Sequence, residues 1–482
     1  MKPVYEIREL VSTIKRLESE NLQPGSPALD AWYYIRYRVF KAVTKELGLY
    51  YEKENTSKRN YFSLVSEYME NISRFFSSIT HNPLLPKYSK KEYVFFGHPR
   101  RKFEEDGRYW DAYTDFIVMN FFNGNSVTFE KPYSNVHLKP TPTNTVAHLD
   151  GLNFLERLIA MRMKIDIPEE VVSGLESMSG ALYQEMNVNI DVLKIGLRRY
   201  RKFRIKQEAV KILLKRIKPK IVFLVCSYGL EYLVQACRDL KIPTVELQHG
   251  VISHYHVGYE CAGTHPKKSF PDYLFTFGKY WKQAAHFPIP QDRIFPVGYP
   301  FLEEKIASMK SCEKTMQVLF ISQGTIGKKL GEFAVRFAEM NRDVKVVFKL
   351  HPVEFTRWRG QYHMLREAEE KGLLRVIDTK TPSLYSLFCE SAVQVGVYST
   401  ALFEGIRFGC RTYLLNLPGI EYMDDFIAYG FGTVVNEPGD IAVPEDSAPL
   451  PFETDSLFER DWRGNFSAAV DSILRQWKTE NP

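Results

Sequence analysis

The sequence predicts an α/β protein in which two doubly wound parallel sheets face each other across a cleft, behind an N-terminal helical region. Three observations carry that reading. Apolar, β-branched runs such as Val344, Val346, Val347, Phe348 and Val393, Val395, Val397 end abruptly in small or polar residues, as a buried parallel strand does at its carboxyl edge. Such runs alternate with helix-like segments in both halves of the chain, which argues for a parallel sheet in each. The 482 residues are also too many for one ordinary core, and a prior of roughly 150 per domain gives two or three. The boundaries drawn from this are a helical region over 1–90, a first sheet domain over 91–302 with a helical insertion, a second over 315–460, and a closing helix over 461–482.

Apolar residues make up 44% of the chain, which allows sizeable cores and excludes a disordered chain. The 64 basic against 58 acidic residues leave +6, too small an excess for a dedicated nucleic-acid binder, so the expected partner is small and anionic. The six cysteines (Cys226, Cys237, Cys261, Cys312, Cys389, Cys410) are scattered without a Cys-x-x-Cys pair, which indicates neither a zinc site nor a disulfide framework. No aspartate-rich metal motif stands out, and no metal or cofactor is expected. No apolar segment approaches the ~20 residues that span a bilayer, and no signal-type apolar stretch opens the chain, so the expected compartment is the cytoplasm.

In chain order, Glu6 to Glu20 reads as a charged helix, and Asp30 as the cap of a second that holds Trp32, Tyr33, Tyr34, Ile35, Tyr37, Val39 and Phe40. Its interleaved Arg36, Arg38 and Lys41 suit either a membrane-surface helix or a packed helix with a solvated basic edge. Tyr93 to Phe96 is a short strand, and Asp106-Gly107 between aromatic-flanked runs marks a hairpin. His98 and Arg100, just upstream, are candidates for holding an anionic acceptor. Glu105 or Asp106 is either a general base beside a donor pocket or only part of the turn. Phe116 to Phe122 reads as a further strand, and Lys131 to Asp150 as a surface loop. Helices fill Leu152 to Lys218, where Arg198, Arg199, Arg201, Lys202, Arg204 and Lys206 make a solvated face or a contact for anionic lipid or a polyanionic acceptor.

A βαβ unit follows, with strands at Ile221 to Val225 and Thr244 to Leu247, the second ending in Gln248-His249-Gly250. His249, beside a glycine that lets a ligand approach the backbone, is a general base with a pKa near neutrality or a structural histidine tying two loops. Two short strands close at Gly278 and Gly298, and Glu303 to Lys314 reads as the interdomain linker. In the second half, Gln317 to Ile321 breaks into Ser322-Gln323-Gly324-Thr325-Ile326-Gly327, a strand-to-helix turn able to cradle phosphate, although it matches neither the P-loop nor the dinucleotide fingerprint. The Val344 strand delivers Lys349-Leu350-His351-Pro352. The Val393 strand delivers Tyr398 and a helix opening at Ser399 or Thr400 that carries Glu404, so unpaired N–H groups and a hydroxyl face whatever lies beyond the sheet, as suits a phosphate. Ser383 caps another helix, and the last helix spans about Asp461 to Trp477.

In Gln248-His249-Gly250, Gly298-Tyr299-Pro300, Lys349-Leu350-His351-Pro352 and Ser399-Thr400 followed by Glu404, the chain resembles the GT-B glycosyltransferases of bacterial surface and capsular polysaccharide synthesis. Within that group it looks most like the sialyltransferase and Kdo-transferase types that use CMP-sugars, and the related CDP-glycerol glycerophosphotransferases of teichoic acid synthesis. The likeness runs over roughly 221–426. It implies a GT-B fold of two Rossmann-like domains, with His351, Pro352, Ser399 and Thr400 holding the donor's nucleotide and phosphate. It also places His249 where the glycerophosphotransferases have a proposed base, although their Trp-His-Gly-Thr-Pro is Gln-His-Gly-Val-Ile here. Glu105-Asp106-Gly107 has the form of the acidic pair before glycine in CMP-sialic acid transferases, but far upstream.

The resulting expectation is an inverting glycosyltransferase, independent of metal, that moves a CMP-linked sugar of sialic acid or Kdo type onto a surface polysaccharide or glycolipid. It would work in the cytoplasm, with peripheral contact to the inner membrane left open. The base is His249 ahead of Asp106, and Glu404 either accepts hydrogen bonds from ribose hydroxyls or caps local N–H groups. Two other readings remain: a CDP-glycerol or CDP-alditol phosphotransferase of teichoic acid-like polymer synthesis, and a catalytically silent scaffold of a polysaccharide assembly complex.

Overall fold

The computed structural model describes residues 6–49, 79–99, 101–104, 107–133, 136–141, 145–261, 267–309, 313–443 and 454–480. Its strands are β1 (Tyr93–Phe96), β2 (Lys102–Phe103), β3 (Tyr109–Trp110), β4 (Ser126–Glu130), β5 (Val146–His148), β6 (Ile221–Val225), β7 (Thr244–Leu247), β8 (Tyr273–Thr276), β9 (Ile294–Pro296), β10 (Thr315–Ile321), β11 (Lys345–Lys349), β12 (Arg375–Ile377), β13 (Ser391–Gly396), β14 (Arg411–Leu415) and β15 (Thr433–Val435). Seven form one sheet in the order β5-β4-β1-β6-β7-β8-β9, and six form another in the order β12-β11-β10-β13-β14-β15. All pairings within these two sheets are parallel. In each, the strand order reverses at one place, between β1 and β6 and between β10 and β13. Loops diverge there, so a crevice opens at the carboxyl ends of those strands. Two Rossmann-like domains with an N-terminal helical region are the GT-B plan that the sequence predicts.

The strands form for the reason the sequence suggests. Val393, Val395 and Val397 are fully buried, as are Val318, Leu319 and Phe320 beside them. Each such side chain contributes about 1.5–3 kcal/mol on leaving water, and β-branching suits the pleat. The two domains also share a core. Trp281 and Phe403 lie 4.7 Å apart across the interface, Tyr280 and Phe431 5.7 Å, and Phe301 and Tyr385 6.1 Å. Arg407 adds a two-pronged pair to Glu303, both contacts at 2.9 Å. A large aromatic interface of this kind restricts hinge motion between domains.

Several expectations need correction. Phe116 to Phe122 is not a strand; the helix Asp115–Phe121 occupies it, with Phe121 and Phe122 against Phe466 at 4.9 and 5.9 Å. A short continuous apolar run does not distinguish the two states, and the missed strand is β4, all five residues of which are buried. The stretch read as a surface loop over 131–150 contains β5, also fully buried. The linker is shorter than expected, because the helix Pro300–Ser308 takes up the first half of Glu303 to Lys314. Ser26, not Asp30, caps the second helix: its Oγ accepts from Leu29 N–H at 3.1 Å, Pro27 follows, and the chain breaks at Tyr34-Ile35 into Pro27–Tyr33 and Arg36–Leu47. Cys389 is disulfide-bonded, contrary to the scattered-thiol reading, while Cys226, Cys237, Cys261 and Cys410 are free.

The aromatic-basic helices near the N-terminus are packed. Trp32 is fully buried and Arg36 2% exposed, and both donate to the buried Glu18 carboxylate, at 2.7 Å from Trp32 Nε1 and 2.9 Å from Arg36 Nη2. With the helices Glu169–Met186 and Val192–Ile217 they form one body, centred on Leu17, Trp32, Val39, Leu175 and Met178. The closing helix, Trp462–Glu480, returns to the first domain and lays Trp462, Phe466 and Ile473 over the sheet at Phe223 and Phe275. Among the described residues no helix is long and apolar enough to cross a membrane.

Candidate functional site

The carboxyl edges of the two sheets meet where β7 and β13 end. Ser399 is the N-cap of the helix Thr400–Arg407, its Oγ accepting from Ala401 N–H at 3.2 Å. The Thr400 hydroxyl reaches across to the other domain and accepts from Val251 N–H at 3.2 Å. A Cβ on Gly250 would lie 3.1 Å from that hydroxyl, so glycine allows this approach. His249-Gly250-Val251 and Ser399-Thr400 thus face each other directly. Ser399, Thr400, His249, Gly250, His98 and His351 are all half-buried, so none is sealed in packing.

On the second domain, three loops interlock along the edge. Gln323 bridges the switch point: its Oε1 accepts from Tyr398 N–H at 3.2 Å, and its Nε2 donates to the Tyr398 carbonyl. Thr325 Oγ1 pairs with Tyr398 Oη at 2.9 Å. His351 caps a short turn after β11, with Pro352 at the first position and its Nδ1 accepting from Val353 N–H at 3.3 Å. Beneath these loops sits a residue the sequence reading passed over. The Glu354 carboxylate is fully buried and accepts from Ser322 Oγ at 3.0 Å, Tyr362 Oη at 2.7 Å and His351 N–H at 2.7 Å. It ties the β10 turn to the His351 turn. Gly324 and Gly327 are small because of this closeness, since a Cβ would meet Val353 Cγ2 at 2.6 Å and Glu354 Oε1 at 1.9 Å respectively. Lys349, at the end of β11, donates to the Thr379 carbonyl at 2.6 Å, and burial pushes its ammonium pKa down to about 8.

On the first domain, the ends of β1, β6 and β7 bring together His98, Tyr228 and His249. The His98 and His249 rings lie 6.1 Å apart, nearly parallel. Both nitrogens of His249 are engaged: Nε2 with Tyr228 Oη at 3.0 Å, Nδ1 with Tyr259 Oη at 3.2 Å. Tyr259 donates its proton to the buried Glu246 at 2.6 Å, so its oxygen is left to accept from Nδ1–H, and Nε2 accepts from Tyr228. The His249 carbonyl accepts from Tyr113 Oη at 2.7 Å. Burial, with the His256 and His98 imidazoles adding to it, pushes the His249 pKa down to about 3. A base with a pKa near neutrality is therefore not what the free protein holds at this position.

Glu404 is turned away from the Ser399-Thr400 helix start. Its carboxylate is 3.9 Å from Lys102 Nζ, and Lys102 also donates to Tyr385 Oη at 3.1 Å and lies over the Phe301 ring at 4.4 Å. Glu404 thus belongs to an aromatic cage between the domains. The predicted hairpin forms, with Lys102 opposite Trp110 and Phe103 opposite Tyr109, and Gly107 at φ +72°. Arg100, Glu105 and Asp106 lie outside the described residues. Tyr228, in Ser227-Tyr228-Gly229, sits at a strand ending in small and polar residues, the same signal that marked His249, and was recoverable from it. Lys102, Glu354 and Tyr259 carried no such signal. A separate hollow of about 440 Å³, lined in part by Lys329, Arg336, Leu415 and Asn436, holds none of the expected site residues.

No protein-family model matches the chain, and no curated protein matches it. Among solved structures it is similar to a UDP-GlcNAc 2-epimerase from Methanocaldococcus jannaschii, at 10% identity and TM-score 0.47, covering 79% of this chain and 99% of that one. A putative UDP-N-acetylglucosamine 2-epimerase from Listeria monocytogenes gives 10% and 0.48, covering 80% and 97%. The wall teichoic acid polymerase TagF, as its H548A variant, gives 10% and 0.43, covering 93% and 98%. At such identities and scores, none of these proteins says what this chain does.

Proposed function

We propose that this chain is a glycosyltransferase that moves a sugar from a nucleotide-activated donor onto a surface polysaccharide or glycolipid, with inversion and without a catalytic metal. The observation that carries the reading is the direct confrontation of the Ser399-Thr400 helix start with His249-Gly250-Val251 across the two sheet edges. The helix start offers N–H groups and a partial positive charge to the donor's phosphates. His351 and the Gln323-Gly324-Thr325 turn flank it, with Pro352 fixing the turn, and a CMP-linked sugar of sialic acid or Kdo type is the donor we favour. In this reading His98 and Arg100 are the residues that hold an anionic acceptor.

A histidine held neutral by burial accepts a proton poorly until charge arrives nearby. A donor phosphate in the cleft would raise its proton affinity, so His249 becomes competent as a base in the ternary complex, relaying through Tyr228. Asp106 and Glu105 remain the alternative bases. The leaving nucleotide needs only preorganised dipoles and cations for its developing charge.

The test offers purified protein CMP-, CDP- and UDP-linked donors with chelator present and weighs the product. A product gaining a glycosyl mass supports the reading. A product that retains phosphorus identifies a CDP-alditol phosphotransferase instead, and nucleotide binding without turnover over the whole panel identifies a silent scaffold. Activity lost in chelator and restored by magnesium or manganese overturns the metal-free clause. We place the protein in the cytoplasm; binding to anionic vesicles would show whether it also touches the membrane.

A further inference from the structure

Away from the cleft, at the far edge of the first sheet, three side chains with metal-binding atoms converge. The register of β4 and β5 sets Glu130 opposite His148, the last residue of each strand, so both side chains leave the sheet side by side. The chain then turns back at Tyr133 and Val136 and brings His137 onto them. His137 Nδ1 lies 3.0 Å and His148 Nε2 3.6 Å from the same Glu130 oxygen, Oε1. All three side chains are less than a tenth exposed. The other Glu130 oxygen is occupied by Arg101, whose Nη2 donates at 2.7 Å. The opposite nitrogen of His137 faces Asp150 Oδ2 at 3.0 Å.

We propose that Glu130, His137 and His148 bind a divalent transition cation of the zinc class. With bonds of about 2.1 Å, the 3.0 and 3.6 Å separations correspond to ligand–metal–ligand angles of about 90° and 120°, either side of the tetrahedral value. Two imidazoles and one carboxylate suit that class better than calcium or magnesium, which favour oxygen alone. Asp150 then acts as the outer carboxylate that orients a metal-bound imidazole, and Arg101 fixes the remaining Glu130 oxygen. The 137 and 148 rings lie nearly parallel with centroids 3.5 Å apart, and binding would tilt His148 out of this stack toward Oε1. A second cluster, His254, Glu260 and His286, is less suited. Lys15 already donates to Glu260 at 2.5 Å, and His286 is 72% exposed. The cation would pin the loop after β4. Through Arg101, which also lies 3.6 Å from Asp115, it would steady the segment carrying His98 without entering the chemistry.

The experiment uses the full chain, stripped with chelator and dialysed, titrated with zinc and separately with cobalt. One zinc per chain at micromolar affinity or tighter, a rise in melting temperature, and a cobalt d–d spectrum of tetrahedral intensity are expected. His137→Ala should abolish all three, and His286→Ala should leave them intact. Asp150→Asn, which keeps the ligands, should weaken binding about 10–100-fold and so carries the test if the ligand variants fold poorly. No zinc or cobalt binding, or binding that survives His137→Ala and ignores Asp150→Asn, overturns the proposal and leaves an imidazolium paired with two carboxylates. None of these readouts depends on glycosyl transfer.

Discussion

Glu354 offers the sharpest test of how the Ser322 and His351 loops are held. Its carboxylate accepts three hydrogen bonds, from Ser322, Tyr362 and His351 N–H, with no exposure to water. Replacement by leucine leaves all three donors unsatisfied, at about 1–3 kcal/mol each. The two hydroxyls can rotate toward other acceptors, but the His351 amide has no such freedom, so the expected loss is about 3–5 kcal/mol. Replacement by glutamine is different in kind. With the amide oxygen turned to His351 N–H and the amide nitrogen to the two hydroxyl oxygens, all three bonds persist without charge assistance, and the cost falls to about 1–2 kcal/mol. The assay combines urea unfolding with hydrogen exchange at the His351 amide and nucleotide affinity by calorimetry. Glu354→Leu should speed that exchange and weaken nucleotide binding well beyond Glu354→Gln. If the two variants behave alike, or the leucine variant matches the parent in exchange and affinity, then Glu354 does not hold the edge together.

Gly327→Ala should destabilise the second domain by at least 2 kcal/mol, because its Cβ falls 1.9 Å from Glu354 Oε1 and closely packed surroundings make overfilling costly; a variant that melts with the parent contradicts this. Thr400→Val keeps shape but leaves Val251 N–H without its acceptor, at a cost of about 1 kcal/mol in urea unfolding, and a variant as stable as the parent contradicts the contact. The folded-state pKa values of His249, about 3, and His256, about 4, lie below the unfolded 6.5, so the unfolded chain binds more protons between them. Their stabilisation is complete above pH 6.5 and is lost as pH falls toward 4, with a combined slope approaching about 2.7 kcal/mol per pH unit. Denaturant titrations at pH 7, 5.5 and 4.5 should show His249→Gln flattening that slope, and an unchanged slope counts against the burial argument. The Lys349 pKa, about 8 folded against 10.5 unfolded, means the unfolded chain binds one more proton between those values, so stability should rise with pH there, a trend that Lys349→Met removes in denaturant titrations at pH 7.5 and 9.5.

What the sequence determined is local and follows from short-range chemistry. Val393, Val395 and Val397 made a buried strand because β-branched side chains pack on a pleat, and Ser399 and Ser383 became N-caps because a hydroxyl there satisfies an N–H that the helix leaves open. The alternation of such elements sufficed for two parallel sheets, and the small and polar residues at strand ends marked both carboxyl edges. Where an apolar run had no period, as at Phe116 to Phe122, helix and strand were indistinguishable until Phe466 of the closing helix packed on it. Only the tertiary structure decided what each edge residue faces. That Thr400 meets Val251, that Glu404 turns to Lys102, and that His137 folds back on Glu130 and His148 are contacts between segments far apart or set by strand register, which no local pattern encodes. The same holds for charge: a histidine's position at a strand end was legible, but its pKa was not, because desolvation and the imidazoles of His98 and His256 arise only once distant chain segments enclose it.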